Sequence, residues 1–140
     1  MIIKVAASQA EFFGLMQLRK NVFTNEQHVD INIEMDEDDL TALHFVVLQD
    51  DQVIATCRLV LHYPHAKLGM MAVAAVYRHQ NIGSQLLSFA EANIKAAGFK
   101  TVSLGAQIQA LEFYLHNGYQ VCSAVFYDAD IPHKMMEKNL

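Results

Sequence analysis

The run KLGMMAVAAVYRHQNIGSQLLSFAEANIKAAGFKTVSL, residues 67–104, restricts the fold of this chain more than any other stretch. It begins as an apolar, strand-like segment, crosses a polar bend ending in Gly83, and becomes an amphipathic helix. Leu86, Leu87, Ala90 and Ile94 fall on one helical stripe, and Gly98 suits the C-terminal cap. KTVSL then reads as another strand. Strand, helix, strand is a βαβ unit, whose two strands run parallel because the helix carries the chain back to its starting end.

The flanking segments fill out a mixed sheet. Residues 2–5 are rich in β-branched side chains and read as a short strand. Ser8 and Glu11 have the spacing of a capping box, and Phe12, Leu15, Met16 and Phe23 place an apolar stripe on a helix over residues 9–26. HFVVL and VIATCRLVL, joined by the polar turn QDDQ, form an antiparallel pair. Beyond the βαβ unit, IQALEFYLHN is a short helix closed by Gly118, and YQVCSAVFY and HKMMEKN are extended. The expected order is β-α-β-β-β-α-β-α-β-β.

Composition narrows the function classes. A chain of 140 residues has the size of one domain, here taken as 1–140, and 53% hydrophobic with 18% charged residues is a globular balance. A net charge of −5 with scattered basic residues argues against a nucleic-acid surface. The N-terminal apolar run is interrupted by Lys4 and no segment reaches membrane-spanning length, so the cytoplasm is the expected location. Cys57 and Cys122 sit in apolar, strand-like runs and are expected to be buried free thiols. Seven histidines include the pair in HYPH, but without further ligands at suitable spacing no metal site is expected.

The bend before the central helix is the first candidate site. A helix N-terminus carries unpaired N–H groups and about half a positive charge. From Arg78 to Ser84 the bend has the makings of an anion nest, with Gly83 allowing close approach and Asn81 able to enter the left-handed region. It is neither a P-loop, since no Lys precedes Ser84, nor a three-glycine dinucleotide loop. A tight βα connection without a ligand is the alternative reading of the same residues.

VAAVYRHQNIG resembles the coenzyme A signature of the GCN5-related N-acetyltransferases (GNAT), with Arg78, Ile82 and Gly83 in place. His79 and Asn81 stand where that family commonly has glycine, and Ala75 where it has proline. EFYLHNGY resembles the family's Phe-Tyr-x-x-x-Gly-Phe/Tyr element. LRKNVFTNEQ, DEDD before HFVV, CRL, GAQ and DIPHKMM are together similar to the ElaA/YjcF-type branch, over about 120 residues of this sequence.

The resemblance implies a mixed α+β GNAT fold, with a central sheet of six to seven strands flanked by about four helices. It implies direct acetyl transfer from acetyl-CoA to an amine of a small molecule or peptide in a ternary complex. The pantetheine arm would run along Met71, Ala72 and Val73, with a backbone N–H near Val73 facing the thioester. The pyrophosphate would rest on Arg78, His79, Gln80, Asn81, Ile82, Gly83 and Ser84. Tyr114 takes the place of the general acid. Glu26 and His133 are the residues expected to act on the acceptor, with His44 and the acids of residues 34–39 as further candidates for the base. Arg58 either pairs with that acidic loop or holds an anionic substrate group, with Arg19 an alternative for the task, and Gln107 joins the acceptor site. The open sheet edges leave room for a homodimer. A non-catalytic acyl-CoA-binding module of the same fold is the competing reading.

Overall fold

The computed structural model describes residues 1–29 and 35–140. One mixed sheet holds eight strands: β1 (Ile2–Val5), β2 (Leu43–Gln49), β3 (Gln52–His62), β4 (His65–Val73), β5 (Thr101–Gln107), β6 (Gln120–Val121), β7 (Phe126–Asp128) and β8 (Ile131–Asn139). Their spatial order is β1-β2-β3-β4-β5-β8-β6, with β7 also paired to β8. Only β4 and β5 run parallel, as the βαβ reading requires. Three α-helices accompany the sheet among the described residues: α1 (Gln9–Arg19), α2 (Ile82–Ala96) and α3 (Leu111–His116). A π-helical segment, Lys20–Glu26, continues α1, so the expected helix over residues 9–26 changes winding near its middle. No described helix is long and apolar enough to cross a membrane.

Local chemistry accounts for these boundaries. Ser8 caps α1: its Oγ accepts from the Glu11 amide at 3.1 Å, and the Glu11 carboxylate accepts from the amides of Ser8 and Ala7. The hydrogen bond from Lys4, then those two amides, hold the Glu11 carboxyl down at about 2. In α2, Leu86, Leu87, Ala90 and Ile94 are fully buried, and Gly98 at φ +93° ends the helix as its lack of a Cβ permits.

The two long helices lie on opposite faces. Along β2, Phe45 and Val47 pack into the cluster that contains the α2 stripe, whereas Val46 packs with Leu15 of α1. Alternation along a strand sends neighbouring side chains to opposite faces, so β2 is covered twice and reads as a continuous apolar run. Gly14 lets α1 come close, since a Cβ there would sit 2.7 Å from Val53 Cγ2.

One sequence expectation fails at the sheet edge. YQVCSAVFY is not one strand but two, β6 and β7, both held on β8. Between them, Ser123 Oγ accepts from the Met135 amide at 2.8 Å, a side chain standing in for a ladder carbonyl. Cys57 is buried and free as expected, but Cys122 is free and exposed. The reason is its position: it lies just past β6, a two-residue strand at the sheet edge whose residues are both exposed.

The feature that makes a site is a bulge in β4. Thr56 faces Ala72 and Arg58 faces Gly69, so three steps along β4 match two along β3, and Met70 absorbs the extra residue at φ +53°. β4 pairs with β5 only over residues 65–67 and 101–103, whereas β5 stays paired with β8 up to Gln107. His65 bridges the closed end, its ring nitrogens 2.6 Å from Thr101 Oγ1 and 2.9 Å from Ser103 Oγ. Beyond that point the parallel strands separate.

Candidate active site

The separation of β4 from β5 opens a cleft of about 1030 Å³. One wall is β4 from Leu68 to Val73, the other β5 from Leu104 to Gln107. The N-terminus of α2 closes one end. Asn81 is its N-cap residue, in the left-handed region at φ 65°, ψ 12°, and its side chain makes no cap bond. His79 is also left-handed, at φ 62°. Both positions where the family commonly has glycine therefore keep a glycine-like backbone.

Gly83 is held to its size by packing. A Cβ there would lie 3.2 Å from Phe113 Cζ and 3.3 Å from Cε1 of the same ring. Asn117, whose Nδ2 donates to Ser84 Oγ at 3.1 Å, ties α3 to the first turn of α2. His79, Asn81, Ile82, Gly83 and Ser84 all line the cleft, as does Arg78. Gln80 does not; its Nε2 donates to the Val76 carbonyl at 3.2 Å. Orphan amides, a helix dipole and a guanidinium thus converge where an anion would be favoured.

Met71, Ala72 and Val73 form the adjoining wall, and Tyr114 reaches the same cleft from α3. The Tyr114 ring is 7% exposed, packed edge-on against Phe113 and Tyr119. Burial first, and then the neighbouring Cys57, push its phenol above the ordinary range. The group therefore stays protonated at neutral pH and is a donor.

His133 lines the same cleft, and its ring is stacked on Phe126 at a centroid distance of 5.7 Å. Its Nδ1–H donates to the Ile131 carbonyl at 2.6 Å, which leaves Nε2 as the acceptor of the neutral ring. Gln107, opposite His133 in the β5–β8 register, donates from Nε2 to Gln27 Oε1 at 2.9 Å and accepts from Gln109. Both lie in the cleft wall.

Three expected acceptor-site residues are placed differently. His44 is 4% exposed, lies outside the cleft lining, and donates from Nε2 to the Asp39 carbonyl at 2.9 Å, so it braces a loop. Arg58 reaches the cleft wall, but its guanidinium is taken up by Asp36 and Asp39, at 2.5–2.9 Å. Of its two expected roles, the structure has it paired with the acidic loop. Arg19 grips Asp39 with both Nη groups, at 2.9 and 3.0 Å. Burial would raise the Asp39 carboxyl, but the hydrogen bonds from Arg19 and Arg58 outweigh it and hold it at about 2. Of the acids in residues 34–39, Glu34 lies outside the described residues. Glu26 is not in the cleft wall either; Arg78 Nη2 donates to its Oε2 at 2.8 Å.

Several lining residues escaped the sequence reading. Gln27 reads from the sequence as a helix end beside Glu26, near the expected acceptor entrance, with no role of its own, while Phe126 and Asp128 depend on the β7–β8 register. Among the described residues no cluster of ligating side chains could hold a metal.

Residues 6–140 match the family described as "Acetyltransferase (GNAT) domain", nearly the whole chain. The chain belongs to the GNAT acetyltransferases. Within that family it is similar to the uncharacterized N-acetyltransferase YjcF of Bacillus subtilis, at 29% identity over 96% of this chain and 97% of that protein. The crystal structure of Escherichia coli ElaA superposes with a TM-score of 0.90 at 28% identity, covering 99% of both chains. These two relatives place it in the ElaA/YjcF-type branch of the GNAT enzymes. An aminoglycoside 6′-N-acetyltransferase solved with coenzyme A shares the fold, with a TM-score of 0.78 at 17% identity over 99% of this chain and 97% of that one.

Proposed function

We propose that this acetyltransferase moves the acetyl group of acetyl-CoA directly to an amine of a small molecule or peptide, without an acyl-enzyme. The observation that carries the reading is the shared cleft: the α2 N-terminus, a protonated phenol and a histidine whose Nε2 is left to accept all line it. Amines reach the cleft mostly as ammonium ions, so the acceptor must first lose a proton. His133 Nε2 is oriented to take it, directly or through one water. The free amine attacks the thioester carbonyl, and the β4 backbone near Val73, which has no β5 partner there, supplies an N–H to the oxyanion. Collapse expels the sulfur, and Tyr114 donates its proton to it. The nitrogen, cationic after attack, gives up its second proton to restore the phenol, directly or through water, and His133 returns the first to solvent. The dry setting that raises the phenol also disfavours a bare thiolate, so acid and base shift in the same direction.

No side-chain nucleophile is required. Cys57 is fully buried, and burial, followed by Glu91, raises its thiol well above the ordinary value, so it stays an unreactive thiol. The pyrophosphate is assigned to the nest of Arg78, His79, Asn81, Ile82, Gly83 and Ser84, whose amides and charge fit it.

Release of free thiol from acetyl-CoA, followed over a panel of primary amines, tests the reading. Amine-dependent release supports it. Saturable binding of acetyl-CoA with no release for any amine class would replace it with the acyl-CoA-binding module.

A further inference from the structure

Glu26 and Arg78 stand 52 residues apart in sequence. Glu26 closes the π-helical segment, and Arg78 follows β4 after one 3-10 turn. Arg78 is held from two sides: its Nε–H donates to the Val73 carbonyl at 2.9 Å and its Nη2 to Glu26 Oε2 at 2.8 Å. Nη1 makes no hydrogen bond among the described residues. Arg78 lines the cleft beside the α2 N-terminus, while Glu26 does not line it.

We infer that Glu26 is a positioning residue for the acetyl donor: it fixes the plane of the Arg78 guanidinium so that its Nη1 edge meets the donor pyrophosphate. The inference rests on the proposed use of acetyl-CoA. Arginine recognises phosphate through a planar fork whose orientation decides the contact. Its side chain is also among those with most rotamer freedom to lose on binding, and two anchors remove that freedom before the donor arrives. Five N–H donors allow one guanidinium to serve a carboxylate, a carbonyl and a phosphate together.

A purely stabilising role fits the geometry poorly. The two side chains are 36% and 39% exposed, and ion pairs that wet contribute little to folding. The second anchor, on the Val73 carbonyl, ties the same guanidinium to the end of β4, where the thioester would lie. Glu26 thus acts through Arg78 and not on the acceptor, which moves it out of the set of candidate bases.

A double-mutant cycle on acetyl-CoA affinity tests this, with thermal melts confirming that each variant folds. Glu26→Ala is expected to weaken acetyl-CoA binding about fivefold, the scale of one side chain losing its pre-set orientation. Arg78→Ala should weaken it at least as much, and adding Glu26→Ala to Arg78→Ala should change nothing further. Glu26→Gln, which keeps a hydrogen-bond acceptor, should recover part of the loss. In turnover, Glu26→Ala should raise the KM for acetyl-CoA and leave the pH dependence of kcat unmoved. Unchanged or tighter binding by Glu26→Ala, or additive losses in the double variant, would overturn the inference. If the wild-type chain itself fails to bind acetyl-CoA, the proposed function falls instead, so the two failures are distinguishable.

Discussion

At the scale of single residues, the proposed chemistry is divided between two side chains whose environments differ in kind. Tyr114 is enclosed by aromatic rings and kept protonated, whereas His133 has one nitrogen tied to the Ile131 carbonyl and the other left to accept. Tyr114→Phe removes the proton donor while keeping the packing, and kcat is expected to fall by roughly 10²-fold with acetyl-CoA affinity within a factor of two. His133→Gln should lower kcat by a similar, roughly 10²-fold, factor at neutral pH. Its deficit should shrink as pH rises, because the amine then loses its proton to solvent. A deficit constant across pH would assign His133 to packing. Asp39 governs stability instead of turnover. Its carboxyl is held at about 2 against an ordinary 3.8, so the folded state favours the charged form. The resulting stabilisation is present above the unfolded value and drains away as pH falls from about 4 toward 2, on the order of 2 kcal/mol in all. Urea melts across that window should show the loss, and Asp39→Asn should cost about 1.5–3 kcal/mol at neutral pH by removing the anion that Arg19 and Arg58 share, with Asp36 still on Arg58.

At the scale of elements, close approach of backbone decides more than propensity does. Gly83 sits against the Phe113 ring, so Gly83→Ala must displace that ring or tilt the first turn of α2. Its expected signature is weaker acetyl-CoA binding with a small change in melting temperature, because the disturbance falls on the nest and not on the buried stripe. Gly14→Ala is the opposite case. There the new methyl would meet Val53 at 2.7 Å on the face of α1 that grips the sheet, and a loss of about 1–3 kcal/mol with little effect on affinity is expected from denaturant melts. The β4 bulge at Met70 belongs to this scale too. By adding one residue to β4 against β3, it turns the end of β4 away from β5 and converts an ordinary parallel pair into a cleft wall.

At the scale of the whole molecule, legibility followed the range of the interactions. The α2 stripe, the Ser8–Glu11 box and the left-handed Asn81 are set by neighbours within a few residues, and each could be read from spacing and residue type. The parallel β4–β5 pair could be read because a βαβ unit permits little else. Long-range partners were not legible. Nothing local distinguishes an Arg58 that meets substrate from one consumed by Asp36 and Asp39, or marks Glu26 as the partner of Arg78. Apolar flanks make Cys122 read as buried, yet burial depends on where a strand lies in the sheet, and β6 and the residue after it are exposed at its edge. The bulge left no signal in residue type, since Gly69, Met70 and Met71 read as an ordinary apolar run. What unites these scales is the claim that the cleft opened by that bulge seats an acetyl donor with its pyrophosphate on the α2 N-terminus. Calorimetric titration of the purified chain with acetyl-CoA, with ATP as the control, tests it most directly. Saturable heat at one donor per chain, and none with ATP, is the predicted result; no saturable heat with acetyl-CoA would contradict the account.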